Sequence, residues 1–165
     1  MATLTDVPQL NTLVNSAYRG ELSKKGWTTE ADLLGGIRTD EQVLTSLINK
    51  ENSVMLLYKN NDTIVGCVNL QQHDNKLYLG MLTVNPDLQG GGVGKILLKA
   101  SEDYAKEKAC TKIYMTVISI RNELISWYKR HGYKDTGERK PFPMNDPKFG
   151  LPKRDLEFIV MEKMI

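Results

Sequence analysis

The run Leu82-Thr83-Val84-Asn85-Pro86-Asp87-Leu88-Gln89-Gly90-Gly91-Gly92-Val93-Gly94-Lys95 constrains this chain more than any other. An apolar strand passes through a glycine-rich turn directly into an amphipathic helix. Glycines remove the side chains that would hold a ligand off the backbone, and the first helical N–H groups lack intrahelical acceptors. With the positive end of the helix dipole, those groups favour an anion.

Spacing decides which anion. A Walker loop needs four residues between its glycines and a Ser or Thr after the lysine, whereas three residues separate Gly90 from Gly94 and Ile96 follows Lys95. A dinucleotide fingerprint starting at Gly90 or Gly92 requires glycine at 95 or 97, where Lys95 and Leu97 stand. What fits is Gln-x-x-Gly-x-Gly, with Gln89, Gly92 and Gly94 in the marked positions after a strand ending in Val84-x-Pro86. This resembles the acetyl-CoA-binding motif of the GNAT N-acetyltransferase superfamily. The resemblance implies acetyl-CoA as co-substrate, bound by Leu82, Thr83, Val84, Gln89, Gly90, Gly91, Gly92, Val93, Gly94 and Lys95. A structural reading stands beside it, in which the glycines only let a helix fold back on a sheet.

A second part of the resemblance follows. After the strand-like run Ile113 to Ile118, Asn122, Tyr128, Gly132 and Tyr133 match in order and spacing a GNAT pattern of Asn, five residues, Tyr, three residues, Gly and an aromatic. The usual Ala and Phe of that pattern are replaced by Ile125 and Tyr133. Asn122 is also a good N-cap residue, and Tyr128 could be a core aromatic beside Leu124 and Ile125. The resemblance implies instead that Asn122 contributes to the cofactor site and that Tyr128 binds there and gives a proton to the departing thiolate. A thiol of pKa about 8.5 leaves more readily when protonated, and a tyrosine near 10 still holds its proton at neutral pH. The resemblance further implies that a backbone N–H at or beside Leu82 polarises the acetyl carbonyl, as an oxyanion hole does.

The incoming amine must lose a proton, since an alkyl ammonium has a pKa near 10.4. Glu30, Glu21, His73 and Tyr78, or a water chain ordered by them, are candidates for that base. His131, at the helix-closing Gly132, reads as a partner of the C-terminal dipole.

The chain has 165 residues, 41% of them hydrophobic, and suits one domain spanning 1–165 with a full core. No run reaches the ~18 apolar residues of a membrane span, and a signal-peptide pattern is lacking at the start. A cytoplasmic location without membrane association is expected. Cys67 and Cys110 show neither disulfide nor zinc spacing, so no metal is expected. The net charge of +2, from 22 basic and 20 acidic residues without a basic aromatic stripe, argues against nucleic acid.

Periodicity predicts a helix through Leu10, Leu13, Val14 and Ala17, capped by Thr5 or Asp6, and a second after the capping-box signature at Thr39-Asp40-Glu41-Gln42. Strands follow over 53–58, 63–72 and 77–84, then the loop helix with Val93, Ile96, Leu97, Ala100 and Tyr104 on its apolar side. Strands over 133–139 and 156–164 close the chain. The expected class is α/β, a single GNAT-like domain whose mixed, mostly antiparallel sheet has helices on both faces. GNAT domains usually begin with a strand, for which only Met1 to Leu4 remain, so that edge strand is short or missing. A homodimer would be one way to cover the edge.

Acceptor choice should lie in two irregular segments. Residues 18–38 carry Tyr18, Trp27, Glu30 and Arg38, and residues 140–153 hold four of the six prolines with Phe142, Met144 and Phe149. Tyr18, Trp27, Glu30, Arg38 and Phe142 are the candidate substrate residues, with Glu30, Leu82 and Tyr128 the candidate catalytic ones. Together these readings predict direct acetyl transfer to a primary amine of a small molecule. Acetylation of a protein or peptide, and an acyl-CoA-binding sensor without catalysis, are the alternatives.

Overall fold

A computed structural model of the chain describes residues 1–19, 23–24, 29–143 and 151–165. A six-stranded sheet has the order β2-β3-β4-β5-β8-β6, formed by β2 (Ser53–Asn60), β3 (Thr63–His73), β4 (Lys76–Val84), β5 (Lys112–Ile118), β6 (Lys134–Pro141) and β8 (Glu157–Met164). Every pairing is antiparallel except that of β4 with β5. The expected mixed sheet is therefore present, each predicted strand within a few residues of its place.

Helices α1 (Val7–Tyr18) and α2 (Glu41–Asn49) cover one face. There Leu10, Leu13, Val14 and Ala17 meet Leu44 of α2 and Met55, Ile64, Cys67 and Met81 of the sheet. Helices α3 (Val93–Glu107) and α4 (Asn122–Arg130) cover the other, packing Leu97, Leu98, Leu124 and Tyr128 against Val68, Leu79, Ile113 and Met115. Because both faces are covered, β3 is buried without alternation from Ile64 to Leu70.

Local chemistry explains the helix starts. Asp40 caps α2 through its side chain, which accepts from the Val43 amide at 2.8 Å. Asp6 sits at the N-cap of α1, but its carboxylate turns back to accept from the Thr3 amide at 2.9 Å and closes a 3₁₀ turn over Leu4–Asp6. Thus Asp6 joins the two helices rather than capping the second. The buried face of α3 is also rotated from expectation. Ile96 is 48% exposed, while Leu98, Ser101 and Ala105 face inward, the Ser101 hydroxyl donating to the Leu97 carbonyl.

No strand precedes α1 among the described residues. A single backbone bond, Ala2 N–H to the Met55 carbonyl at 2.8 Å, ties the amino-terminal segment to β2. A feature absent from the sequence reading is a second, two-stranded ribbon. In it β1 (Leu34–Gly35) pairs antiparallel with β7 (Leu151–Pro152), joining the two irregular segments. Lys153 reinforces the junction, its N–H bonding the Leu33 carbonyl and its Nζ the Ala31 carbonyl.

Candidate active site

Two cavities meet where β4 and β5 separate. The strands are in parallel register only from Lys76↔Lys112 to Tyr78↔Tyr114, after which they splay. On the other side of β4 the register passes from Gly80↔Asn69 to Thr83↔Cys67, so Met81 and Leu82 lie opposite the single residue Val68. This bulge re-aims the backbone at the splay. Met81 has φ 53°, a left-handed conformation costing roughly 1–2 kcal/mol for a residue with a side chain.

Side chains hold the bulge in place. The Thr83 hydroxyl donates to the Met81 carbonyl at 2.9 Å, and the buried Tyr18 hydroxyl donates to the Leu82 carbonyl. Burial pushes the Tyr18 phenol up to about 12, so the donor keeps its proton. Replacing Tyr18 with phenylalanine leaves that carbonyl unsatisfied and should destabilise the fold by about 1–3 kcal/mol. A lowered thermal midpoint, with the loss of turnover expected of a displaced bulge, checks this; an unchanged midpoint would show that the bond contributes nothing.

The larger cavity, about 720 Å³, lies between the start of α3 and the face of α4. Gly90 and Gly92 both have positive φ, 91° and 87°, and a Cβ at either would meet no atom within 4 Å. The turn thus presents bare backbone to open space. Gly92 is the cap residue of α3, so no cap side chain covers the first-turn amides of a 15-residue helix. Gly94 has another function: a Cβ there would lie 3.1 Å from the Trp127 indole, so its absence lets α3 approach α4.

Of the predicted cofactor residues, Leu82, Val84, Gln89, Gly90, Gly92, Val93, Gly94, Lys95, Asn122 and Tyr128 line this cleft. Thr83 and Gly91 do not; Thr83 points to the bulge carbonyl, and the Gly91 amide closes a turn onto the Leu88 carbonyl. Asn122 is the first residue of α4, not its cap, since Arg121 occupies that position, and the Asn122 side chain is exposed at the cleft. The capping reading is thereby excluded for Asn122. Arg130 and His131 also border the cleft. His131 is the C-cap of α4, with its Nδ1 2.8 Å from the Trp127 carbonyl.

Tyr128 separates the cavities and belongs to both. It is 5% exposed, and its hydroxyl makes no hydrogen bond to any described residue. Burial holds its phenol well above the usual tyrosine range.

This arrangement of loop, bulge and splay coincides with a sequence match: the model of the acetyltransferase (GNAT) family fits residues 11–133. The chain belongs to that family. N-acetyltransferase 8B of Homo sapiens is 25% identical over 124 residues, covering 71% of this chain and 54% of that protein. The probable N-acetyltransferase 14 of Xenopus tropicalis is 36% identical over 78 residues, 46% of this chain and 38% of that protein. The chain spans about half the length, or less, of these curated relatives.

The GNAT fold is seen in solved structures too. The ribosomal-protein-S18-alanine N-acetyltransferase from Escherichia coli superposes with TM-score 0.73 at 16% identity, over 99% of this chain and 90% of that one. The PaiA N-acetyltransferase from Thermoplasma acidophilum, solved in complex with coenzyme A, gives 0.70 at 19% identity over 99% and 96%.

The smaller cavity of this GNAT chain, about 200 Å³, occupies the splay itself. Tyr18, Glu30, Arg38 and Phe142 line it; Trp27, Glu21, Met144 and Phe149 lie outside the described residues. Glu30 is buried, with Oε1 3.3 Å from Arg19 Nη2 and Oε2 3.9 Å from Arg121 Nη1. Tyr78 also lines this cavity, whereas His73, at the end of β3, lines neither. Arg19 and Arg121 were not singled out from sequence, where a charged side chain defaults to the solvated surface. Among the described residues, no group of three or more His, Cys, Asp or Glu is placed to hold a metal, and no helix is long and apolar enough to cross a membrane.

Proposed function

We propose that this chain is an acetyl-CoA-dependent N-acetyltransferase passing an acetyl group directly to a primary amine of a small molecule. One observation carries the reading: the cleft under the glycine loop and the cavity in the splay share Tyr18, Leu82, Leu124 and Tyr128. A donor on one side and an acceptor on the other would therefore meet at the bulge and beside the Tyr128 hydroxyl. When bound, acetyl-CoA supplies an acetyl group activated as a thioester.

The chain's own residues divide the remaining work. The backbone of Gly90 and Gly92 and the first turn of α3 suit the diphosphate, by open approach and dipole. The Leu82 region offers main-chain polarity at the splay, fixed by Tyr18 and Thr83 before any ligand arrives. Tyr128 holds its proton at Oη, ready for the departing sulfur. Glu30, engaged by two guanidinium groups, suits fixing those groups better than accepting a proton. A cavity of about 200 Å³, below the roughly 300–1,000 Å³ typical of sites for drug-sized ligands, suits a small amine-bearing group.

The test is thiol release from acetyl-CoA across amino acids, polyamines, aminoglycosides and short peptides, beside calorimetric titration with coenzyme A. Amine-dependent release with a small acceptor is expected. Release with peptides alone would move the acceptor to proteins. Binding without release for any amine would favour a sensor, and absence of binding would remove the cofactor assignment.

A further inference from the structure

Among the described residues, the lining of the cavity in the splay holds more cations than anions. Its charged lining among the described residues is Arg19, Arg38, Arg121 and Glu30, three guanidinium groups against one carboxylate. The side chains of Arg19 and Arg121 are only 4% and 8% exposed, and the single carboxylate of Glu30 lies between them. Arg38 receives no such partner. Its guanidinium lies 5.7 Å from the centroid of the Tyr18 ring and makes no hydrogen bond or ion pair with any described residue. Arg121 lies 6.0 Å from the same centroid, so two cations flank the tyrosine that holds the bulge.

Arg38 is also fixed at its base. Asn15 Oδ1 accepts from the Arg38 and Thr39 amides at 2.8 and 3.1 Å, while Asn15 Nδ2 donates to the Thr39 carbonyl at 3.0 Å. Helix α1 thereby clamps the backbone from which Arg38 enters the cavity. Cations in a confined space are ordinarily paired, and a planar guanidinium is matched to a carboxylate by its forked donors. An acceptor that is only an amine, or a polyamine, would bring positive charge beside Arg38 and offer its guanidinium nothing to bind.

We propose that the acceptor is an amine that also bears a carboxylate, which Arg38 receives while the amino group faces the Tyr128 side of the cavity. This rests on the reading of the cavity as the acceptor side. It narrows the substrate class to amino acids and their close relatives.

Two readouts separate the anion site from the transfer. In the first, thiol release from acetyl-CoA is measured with the common L-amino acids and with β- and γ-amino acids, each against its carboxamide and its decarboxylated amine. In the second, the N-acetyl derivatives of the same acids and carboxamides are titrated calorimetrically into coenzyme A-saturated protein. At least one carboxylate should be preferred over its carboxamide by about 10- to 100-fold. Arg38→Gln should collapse that preference and Arg38→Lys should restore part of it, both variants retaining the wild-type thermal midpoint and coenzyme A affinity.

Equal use of acids and carboxamides, or a preference that Arg38→Gln leaves intact, would overturn the anion site while leaving acetyl transfer standing. Preferential binding of the N-acetyl acids without thiol release from any amine would support the anion site and defeat the transferase reading. Neither binding nor release across the panel would defeat both.

Discussion

Replacing Tyr128 with phenylalanine should lower kcat by about 10²- to 10⁴-fold, the range for losing a positioned acid, while leaving coenzyme A affinity and the thermal midpoint near wild type. The ring is well embedded, with Trp127 and Tyr133 in edge-on contact at centroid distances of 5.2 and 5.8 Å, and phenylalanine preserves that packing. The hydroxyl has no hydrogen-bond partner among the described residues, so its removal leaves none of them unsatisfied. Only the transferable proton goes. Burial raises the phenol's pKa, so the acid form persists beyond the pH near 10 where an ordinary tyrosine ionises. The wild-type kcat should therefore show no alkaline fall from this group below about pH 10. An unchanged kcat in the phenylalanine variant would take the proton-donor role away from Tyr128.

Gly92→Asp acts on the other partner in the reaction. It should weaken coenzyme A binding by about 10²- to 10³-fold, since a carboxylate some 4 Å from a phosphate charge repels it by about 4 kcal/mol at an effective dielectric of 20. The cap position has φ 87°, a region where aspartate is among the better-tolerated residues, so the variant should still fold. Gly92→Ala separates the two contributions: it carries the backbone strain without the charge. Calorimetry at low and high salt checks the assignment, because screening should return part of the affinity to the aspartate variant and none to the alanine variant. Wild-type affinity in Gly92→Asp would place the phosphates elsewhere.

What the sequence disclosed was local. The run from Leu82 to Lys95 carries strand, turn and helix signals in consecutive residues, and the strand over 63–72 needs only its β-branched and apolar content to be read. Non-local arrangements were hidden. The bond from Tyr18 to the Leu82 carbonyl crosses 64 positions of the chain, and nothing at either end marks it. The ribbon of β1 and β7 consists of two-residue strands, too short for periodicity, one of them ending in proline. Ile96 of α3 is apolar and so predicted inward, yet it is exposed while Leu98 and Ser101 are buried. Arg19 and Arg121 were passed over for the converse reason, although each adjoins a residue that was singled out, Tyr18 and Asn122.

The ribbon also bears on how such a protein could change its diet. The segments it joins are held to each other by main-chain pairing and by Lys153, while the glycine loop and Tyr128 belong to separate helices of the sheet's other face. On the proposed reading, changes confined to residues 29–38 and 151–153 act on the cavity in the splay and leave the glycine loop untouched. That freedom is shared between two distant stretches of gene: a chimera inheriting residues 29–38 from one ancestor and 151–153 from another would bring together halves of a seam cut to different patterns. Selection on either stretch is felt by the other, so changes of taste in this lineage should arrive as matched pairs.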